Sequence, residues 1–261
     1  MAPPPALSCG ATPAHLMERL LMLPKPNAQP NQSLIDGIAT LQALAVSPEP
    51  VGNRELARQL GFNPTRVNRL LKTLSYLGIA RQTANRKYTA GPGMHVLAAQ
   101  SLHASRIMQD ALPVLEELRR FGLTIALGVL WRDSVSYLFH APPGMSTTQG
   151  IGRIGLLPAT SSGIGMALLA QHEDAVIHEL FADREIPGFP GGMDDLIAAI
   201  AVVRTQGFAR VLVNAEEDRH TIAVPVSHPS FAAVGMSGWI PEQNTGPIVE
   251  ALQNAAARIS D

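Results

Sequence analysis

Residues 53–77 place the tightest limit on the fold. ELARQLGFNPTRVNRLLKTLSYL, at 55–77, holds two helical periodicities with a turn of about three residues between them. Leu56, Ala57 and Leu60 mark the first helix, with Asn53 as its expected N-cap. Gly61 stands just past its end, where a left-handed residue is wanted. Asn63-Pro64 then restarts a helix, Asn as cap and Pro at the first position. Two helices joined by so short a turn must cross, as in a helix-turn-helix.

The second of these helices is two-sided. Val67, Leu70, Leu71, Leu74 and Leu77 form an apolar stripe. Thr65, Asn68, Arg69, Lys72 and Tyr76 fall opposite, with Arg66 at the flank. A solvated face explains charges, but not a hydroxyl, an amide and cations together after a tight helical turn. A helix in the DNA major groove wants those groups: Arg or Lys for guanine and phosphate, Asn for adenine, Thr for either. Ile79–Gln82 and Arg86–Thr89 alternate like two short strands around a turn at 83–85. Arg81, Arg86 and Lys87 would lie on phosphate or in the minor groove, as the wing of a winged helix-turn-helix.

Charge divides the chain the same way. Residues 31–95 hold eight Lys/Arg against three acids, a net +5. Residues 96–261 hold ten against seventeen, a net −7, and the first thirty residues add +1 to reach −1 overall. A split of this kind suits one part that meets a polyanion and another with different work. Upstream, Ile35, Ile38, Leu41 and Leu44 suggest a helix with those residues inward. Residues 1–32 hold seven of the twenty-one prolines and read as a mostly disordered arm, although HLMERLLML could form two helical turns. Its start, MAPPPALSCG, gives no reason to expect a secretory signal. Cys9 is the only cysteine, which excludes disulfide frameworks and cysteine-based metal sites and suits the cytoplasm. No apolar run approaches the ~20 residues of a membrane-spanning helix, so no membrane partner is expected.

Beyond Gly91-Pro92-Gly93, Met94, Leu97, Ala98 and Leu102 suggest a linker helix. Pro113 is tolerable in a first helical turn, so a break is expected within 105–110. Residues 125–131 and 134–139 read as a strand pair, 141–159 as a long loop, and 208–214, 220–228 and 231–239 as further strands. Helices are expected near 161–169, 177–181, 196–205 and 247–259. The class is α+β.

Taken together, these segments resemble the IclR family of bacterial transcriptional regulators over about residues 33–260. The likeness lies in ELARQLGF, VNRLLKTLSYLGIA and RKYTAGP, then in ALPVLEEL, VSYL, LPATSSGIGMALLA, RTQGFA, IAVPV and AVGMSG. The resemblance implies a winged helix-turn-helix at 33–92, a linker helix at 93–105 and a GAF/PAS-like effector-binding domain at 106–261. It implies a ligand-responsive regulator, a repressor in preference to an activator, of catabolic or metabolic genes. Partners would be an operator, a small organic or aromatic acid or amide, and a second copy in a homodimer or homotetramer. The family's base- and phosphate-facing positions fall on Thr65, Arg66, Asn68 and Arg69. Its effector pocket falls on Gln149, Gly150, Leu157, Ser162, Gly163, Ile164, Val211, Arg219, Thr221, Gly235 and Ser237. Against the family pattern, Thr221 replaces a frequent cysteine, Gly235 a serine, Met166 a lysine, and residues 209–214 lack an acidic run. Fewer polar groups favour a ligand with an apolar body and one polar head, seated on the helix start at Ser162.

Other motifs carry less. Gly150–Gly155 spells G-x-G-x-x-G, but no strand leads into it and Leu156-Leu157-Pro158 follows, so it reads as a flexible rim. The eight histidines show no metal spacing, and no serine is framed as a nucleophile. No cofactor, metal or catalytic role is expected. The alternative is a small-molecule-binding or catalytic domain whose helix-turn-helix serves only for oligomerisation. The +5 charge and the polar face of residues 63–77 argue against it.

Overall fold

The computed structural model describes residues 30–261 except 153–154, 183, 228–230 and 261. Residues 1–29 of the expected arm lie outside the described residues. The chain divides into two compact units, one ending at Ala104 and the other Ser105–Asp261.

The first unit opens with α1 (Gln32–Val46), capped by the Asn31 side chain, which accepts from the Leu34 amide at 3.2 Å. Residue 32, expected in the arm, is therefore helical. The buried side of α1 is Asp36, Ala39, Thr40, Ala43 and Leu44, and not the expected face. Ile38 is 42% exposed. Spacing of three falls about 60° short of a turn at each step, so Ile35 and Leu44 point to opposite sides. The true face follows i, i+3, i+4, i+7, i+8, disguised by small and polar residues.

α2 (Asn53–Leu60) and α3 (Pro64–Tyr76) make the tight pair. Gly52, and not Asn53, is the cap of α2. Asn53 instead donates from Nδ2 to the Pro64 carbonyl at 3.2 Å, fastening the start of α2 to that of α3. Gly61 adopts φ +64° and ends α2, and Asn63 accepts from the Thr65 amide at 2.8 Å. The wing is β1 (Ala80–Gln82) and β2 (Tyr88–Ala90), antiparallel, with Val51 bridged to Tyr88. Its strands are shorter than expected. Arg86 and Lys87 belong to the turn, where Arg86 takes φ +59° and the Thr83 amide donates to the Lys87 carbonyl at 2.8 Å. Leu44, Leu56, Leu60, Val67, Leu71, Ala80 and Tyr88 form one core. α4 (Pro92–Ser105) follows and buries no residue.

In the second unit, Arg106 takes φ +55° and starts α5 (Ile107–Leu118). Pro113 sits inside α5, beyond its first turn, so the expected restriction does not hold. Six antiparallel strands form a sheet in the order β5-β4-β3-β8-β7-β6. These are β3 (Thr124–Trp131), β4 (Ser134–Ala141), β5 (Leu157–Pro158), β6 (Ala209–Asn214), β7 (Arg219–Pro225) and β8 (Ala232–Trp239). The expected loop 141–159 contains β5 and the one-turn α6 (Thr147–Gly150).

α7 (Gly163–Leu169) lies on one face of the sheet, where every one of its residues is buried. α8 (Asp174–Phe181) and α9 (Met193–Gln206) extend that layer. α10 (Thr245–Ser260) packs on α5, β7 and β8. The seat of α7 is a cross-strand row of small residues, Ala209–Ala223–Gly235–Ala126. A Cβ on Gly128 would stand 2.9 Å from Ile164 Cγ2, and one on Gly165 2.1 Å from the Ala159 carbonyl oxygen. The small residues let the helix approach that closely.

Candidate DNA-reading face and effector groove

α3 turns Val67 and Leu71 into the core and leaves Thr65, Arg69 and Lys72 exposed, with Asn68 half-buried. Tyr76 closes the exposed side at 88% exposure, a residue for which sequence reasoning finds no role. Arg81, Arg86 and Lys87 are exposed on the wing. Arg54, Arg69, Lys72, Arg81, Arg86 and Lys87 have no ion-pair partner among the described residues. Arg58 is paired with Glu55.

Arg66 departs from its expected place. Its guanidinium is ion-paired with Asp36 of α1, whose side chain is fully buried. It also lies over the Phe62 ring at 5.4 Å. Asp36 Oδ1 receives a further hydrogen bond from Gln32 Nε2 at 2.9 Å. No sequence periodicity pairs residue 36 with residue 66.

In the second unit a row of directly opposite residues runs Val211–Thr221–Ser237–Thr124 across β6, β7, β8 and β3. Thr221 Oγ1 donates to Ser237 Oγ at 3.0 Å. Thr124, Ser237, Arg219 and Trp239 line a groove of about 390 Å³, with Leu123 and Pro143 along its side. Arg219 reaches Glu217 at 3.4 Å. Glu217 lines the groove too, which thus combines an Arg219–Glu217 ion pair, two hydroxyls and an indole that is 66% exposed. The indole and Leu123 suit a flat apolar body, and Arg219 suits an anionic head that takes the place of Glu217 on it.

The remaining expected positions do not gather around this groove. Ser162 Oγ accepts from the Gly165 amide at 3.3 Å and lies 3.1 Å from the Tyr137 hydroxyl. Burial raises the pKa of that Tyr137 phenol, and the contact with Ser162 opposes the rise. The helix start is buried: Ser162 and Gly163 have little exposed surface, and a Cβ on Gly163 would meet Thr221 Cγ2 at 2.7 Å. Ile164 is fully buried and Gly235 faces it, where a Cβ would stand 3.3 Å from Ile164 Cγ1. Gln149 completes a capping box with Ser146, Gly150 rests on Phe139, and Leu157 pairs with Val135. Val211 lines a separate hollow of about 560 Å³ between α9 and β6, with Met166, Phe189 and Val203. Sequence reasoning misses Thr124 and Trp239. Their signal is register, since each lies on a strand beside residues expected in the pocket.

Among the described residues no cluster of three or more His, Cys, Asp or Glu could hold a metal ion. Nor is any described helix long and apolar enough to cross a membrane.

A family model described as Bacterial transcriptional regulator IclR C-terminal matches residues 99–261, and one described as IclR helix-turn-helix domain matches residues 34–84. The chain belongs to the IclR family. Among similar IclR-family proteins is the HTH-type transcriptional regulator KdgR of Dickeya chrysanthemi, 30% identical over 243 residues, 88% of this chain and 79% of the relative. The HTH-type transcriptional regulator XynR of Escherichia coli is 28% identical, over 79% of this chain and 86% of its own. Among solved structures, an IclR transcriptional regulator from Silicibacter sp. TM1040 superposes with a TM-score of 0.75 at 24% identity, covering 87% and 94% of the two chains. An IclR homolog from Microbacterium hydrocarbonoxydans complexed with 4-hydroxybenzoate gives 0.67 at 23%, covering 88% and 98%. This IclR-family chain is therefore a transcriptional regulator of the helix-turn-helix type and not an enzyme. Its helix-turn-helix is not merely an oligomerisation element.

Proposed function

We propose that Thr65, Asn68 and Arg69 read each operator half-site, with Lys72, Arg81, Arg86 and Lys87 on phosphates. One observation carries this reading: α3 buries Val67 and Leu71 and leaves its amide, hydroxyl and unpaired cations outward. A single winged helix reads only a few base pairs, so two copies act together. α4 supports such pairing, since Val96 and Leu97 are 53% and 54% exposed on it.

The effector is a small acid with an aromatic or similar apolar body. Its carboxylate replaces Glu217 as the partner of Arg219 and meets Ser237, and its ring lies along Trp239 and Leu123. The protein works in the cytoplasm as a repressor of catabolic or metabolic genes, and the effector relieves it. The test is sequence-selected DNA binding by the full chain, followed by thermal shift with benzoate, 4-hydroxybenzoate, glyoxylate and pyruvate. One selected palindromic site, stabilisation by the aromatic acids, and its loss in Arg219→Gln are expected. Stabilisation by glyoxylate or pyruvate alone would overturn the effector class.

A further inference from the structure

The contact between α1 and α3 is unusual in its chemistry. A carboxylate with no exposed surface sits on α1. Taking such a charge from water is costly, and leaving it unpaired costs more. Asp36 therefore depends on its two partners, Arg66 and Gln32. Arg66 is also the third residue of α3, beside Thr65 and one turn before Arg69. It is the cation that a reading helix would otherwise turn toward DNA.

Guanine is read by an arginine fork through two N–H groups on one edge. In Arg66 one terminal nitrogen, Nη2, is ion-paired with Asp36, and Cζ lies 5.4 Å from the centre of the Phe62 ring. Extending Arg66 into a groove would break that pair and strand a buried charge. Lys72 and Arg69 carry no such tether.

We propose that Asp36 is a specificity-determining positioning residue: by holding Arg66 on α1, it removes one base-reading arginine from the operator code. The half-site of this chain then has no position selected by Arg66. A neutral residue at 36 would release the arginine and add a position to the code. This rests on α3 being the helix that meets the bases. That reading fails separately, if Arg69→Ala leaves the selected sequence unchanged.

The test is sequence-selected DNA binding by the full chain and three variants. Asp36→Asn keeps the shape and removes the charge. Arg66→Lys keeps a cation for Asp36 and loses the fork. Asp36→Asn with Arg66→Gln removes both charges together. Wild type and Arg66→Lys are expected to select the same half-site, since a lysine keeps a cation for Asp36. Asp36→Asn is expected to select one further base pair, a guanine, with about tenfold preference. The double variant should lose it. A purely structural pair would change the melting temperature and leave the selected sequence alone. The proposal is overturned if Asp36→Asn selects the wild-type sequence, or if Arg66→Lys relaxes a position that wild type selects. Should Asp36→Asn fail to fold, Asp36→Ser, which also removes the charge, is read in its place. A further selected guanine upholds the proposal and the wild-type sequence ends it.

Discussion

Arg69 and Lys87 are both exposed cations, yet their effects on binding should differ in kind. Arg69 stands on α3 among the base-facing groups. Arg69→Ala should weaken the selected operator by about 1–3 kcal/mol and leave random DNA less affected. Lys87 lies in the wing turn. Lys87→Ala should weaken both DNAs alike and lower the slope of log affinity against log salt by about one. Binding isotherms at several salt concentrations measure both, and equal loss on operator and random DNA in Arg69→Ala would sink the base-reading assignment. At this scale the sequence is a good guide to chemistry and a poor one to partners. Side-chain type and spacing show that Arg66 stands beside Thr65. Only the packing of α1 shows that its charge is spent on Asp36.

Elements are legible wherever a cap or a clean period marks them. Gly61 and Asn63-Pro64 set the turn before α3, because a left-handed cap and a proline have few other uses. α1 is legible as a helix but not in its rotation, since its buried face holds Asp36, Ala39, Thr40 and Ala43, which are polar or too small to stand out beside Ile35, Ile38 and Leu41. The start of α7 is legible too, but a glycine pressed on Thr221 reads in sequence like an open anion site. The closeness of this packing can be tested. Gly165→Ala would bring a methyl group within 2.1 Å of the Ala159 carbonyl oxygen, so it should destabilise the second unit by about 1–3 kcal/mol in urea unfolding. An unchanged midpoint would mean that α7 is not held so tightly.

α5 and α10 are joined by a second device. Arg258 Nη1 and Nη2 donate to Glu117 Oε2 and Oε1 at 2.5 and 2.8 Å. The hydrogen bonds from Arg258 hold the Glu117 carboxyl below its ordinary pKa of 4.5. A carboxylate with a lowered folded pKa stabilises above its unfolded value and loses that contribution as pH falls. The melting-temperature gap between wild type and Glu117→Gln should therefore be present near neutral pH and shrink as pH falls below about 4.5. A gap that stays constant with pH would show that the pair contributes nothing through charge.

For the whole molecule, charge is the most informative sequence property, because a net +5 in residues 31–95 separates the part with the reading helix from the acidic remainder. The groove beside Trp239 is the least legible. It needs Thr124, Ser237, Arg219 and Trp239 from three strands, and strand order is not written in any one of them. Assembly belongs to this scale too. Light scattering at micromolar concentration should show at least a dimer. A monomer that still binds its operator at full affinity would refute pairing through α4.

The exposed course of α4 has a further consequence. A helix of fourteen residues that buries nothing has little to hold it helical in water. If α4 pairs with a second copy as proposed, that copy supplies its order. Diluting the protein should then melt this one segment before either unit, and expose the backbone of residues 93–104 to proteases. Cutting there would track concentration and be suppressed by operator DNA, so nicking of the linker reports how many chains stand together.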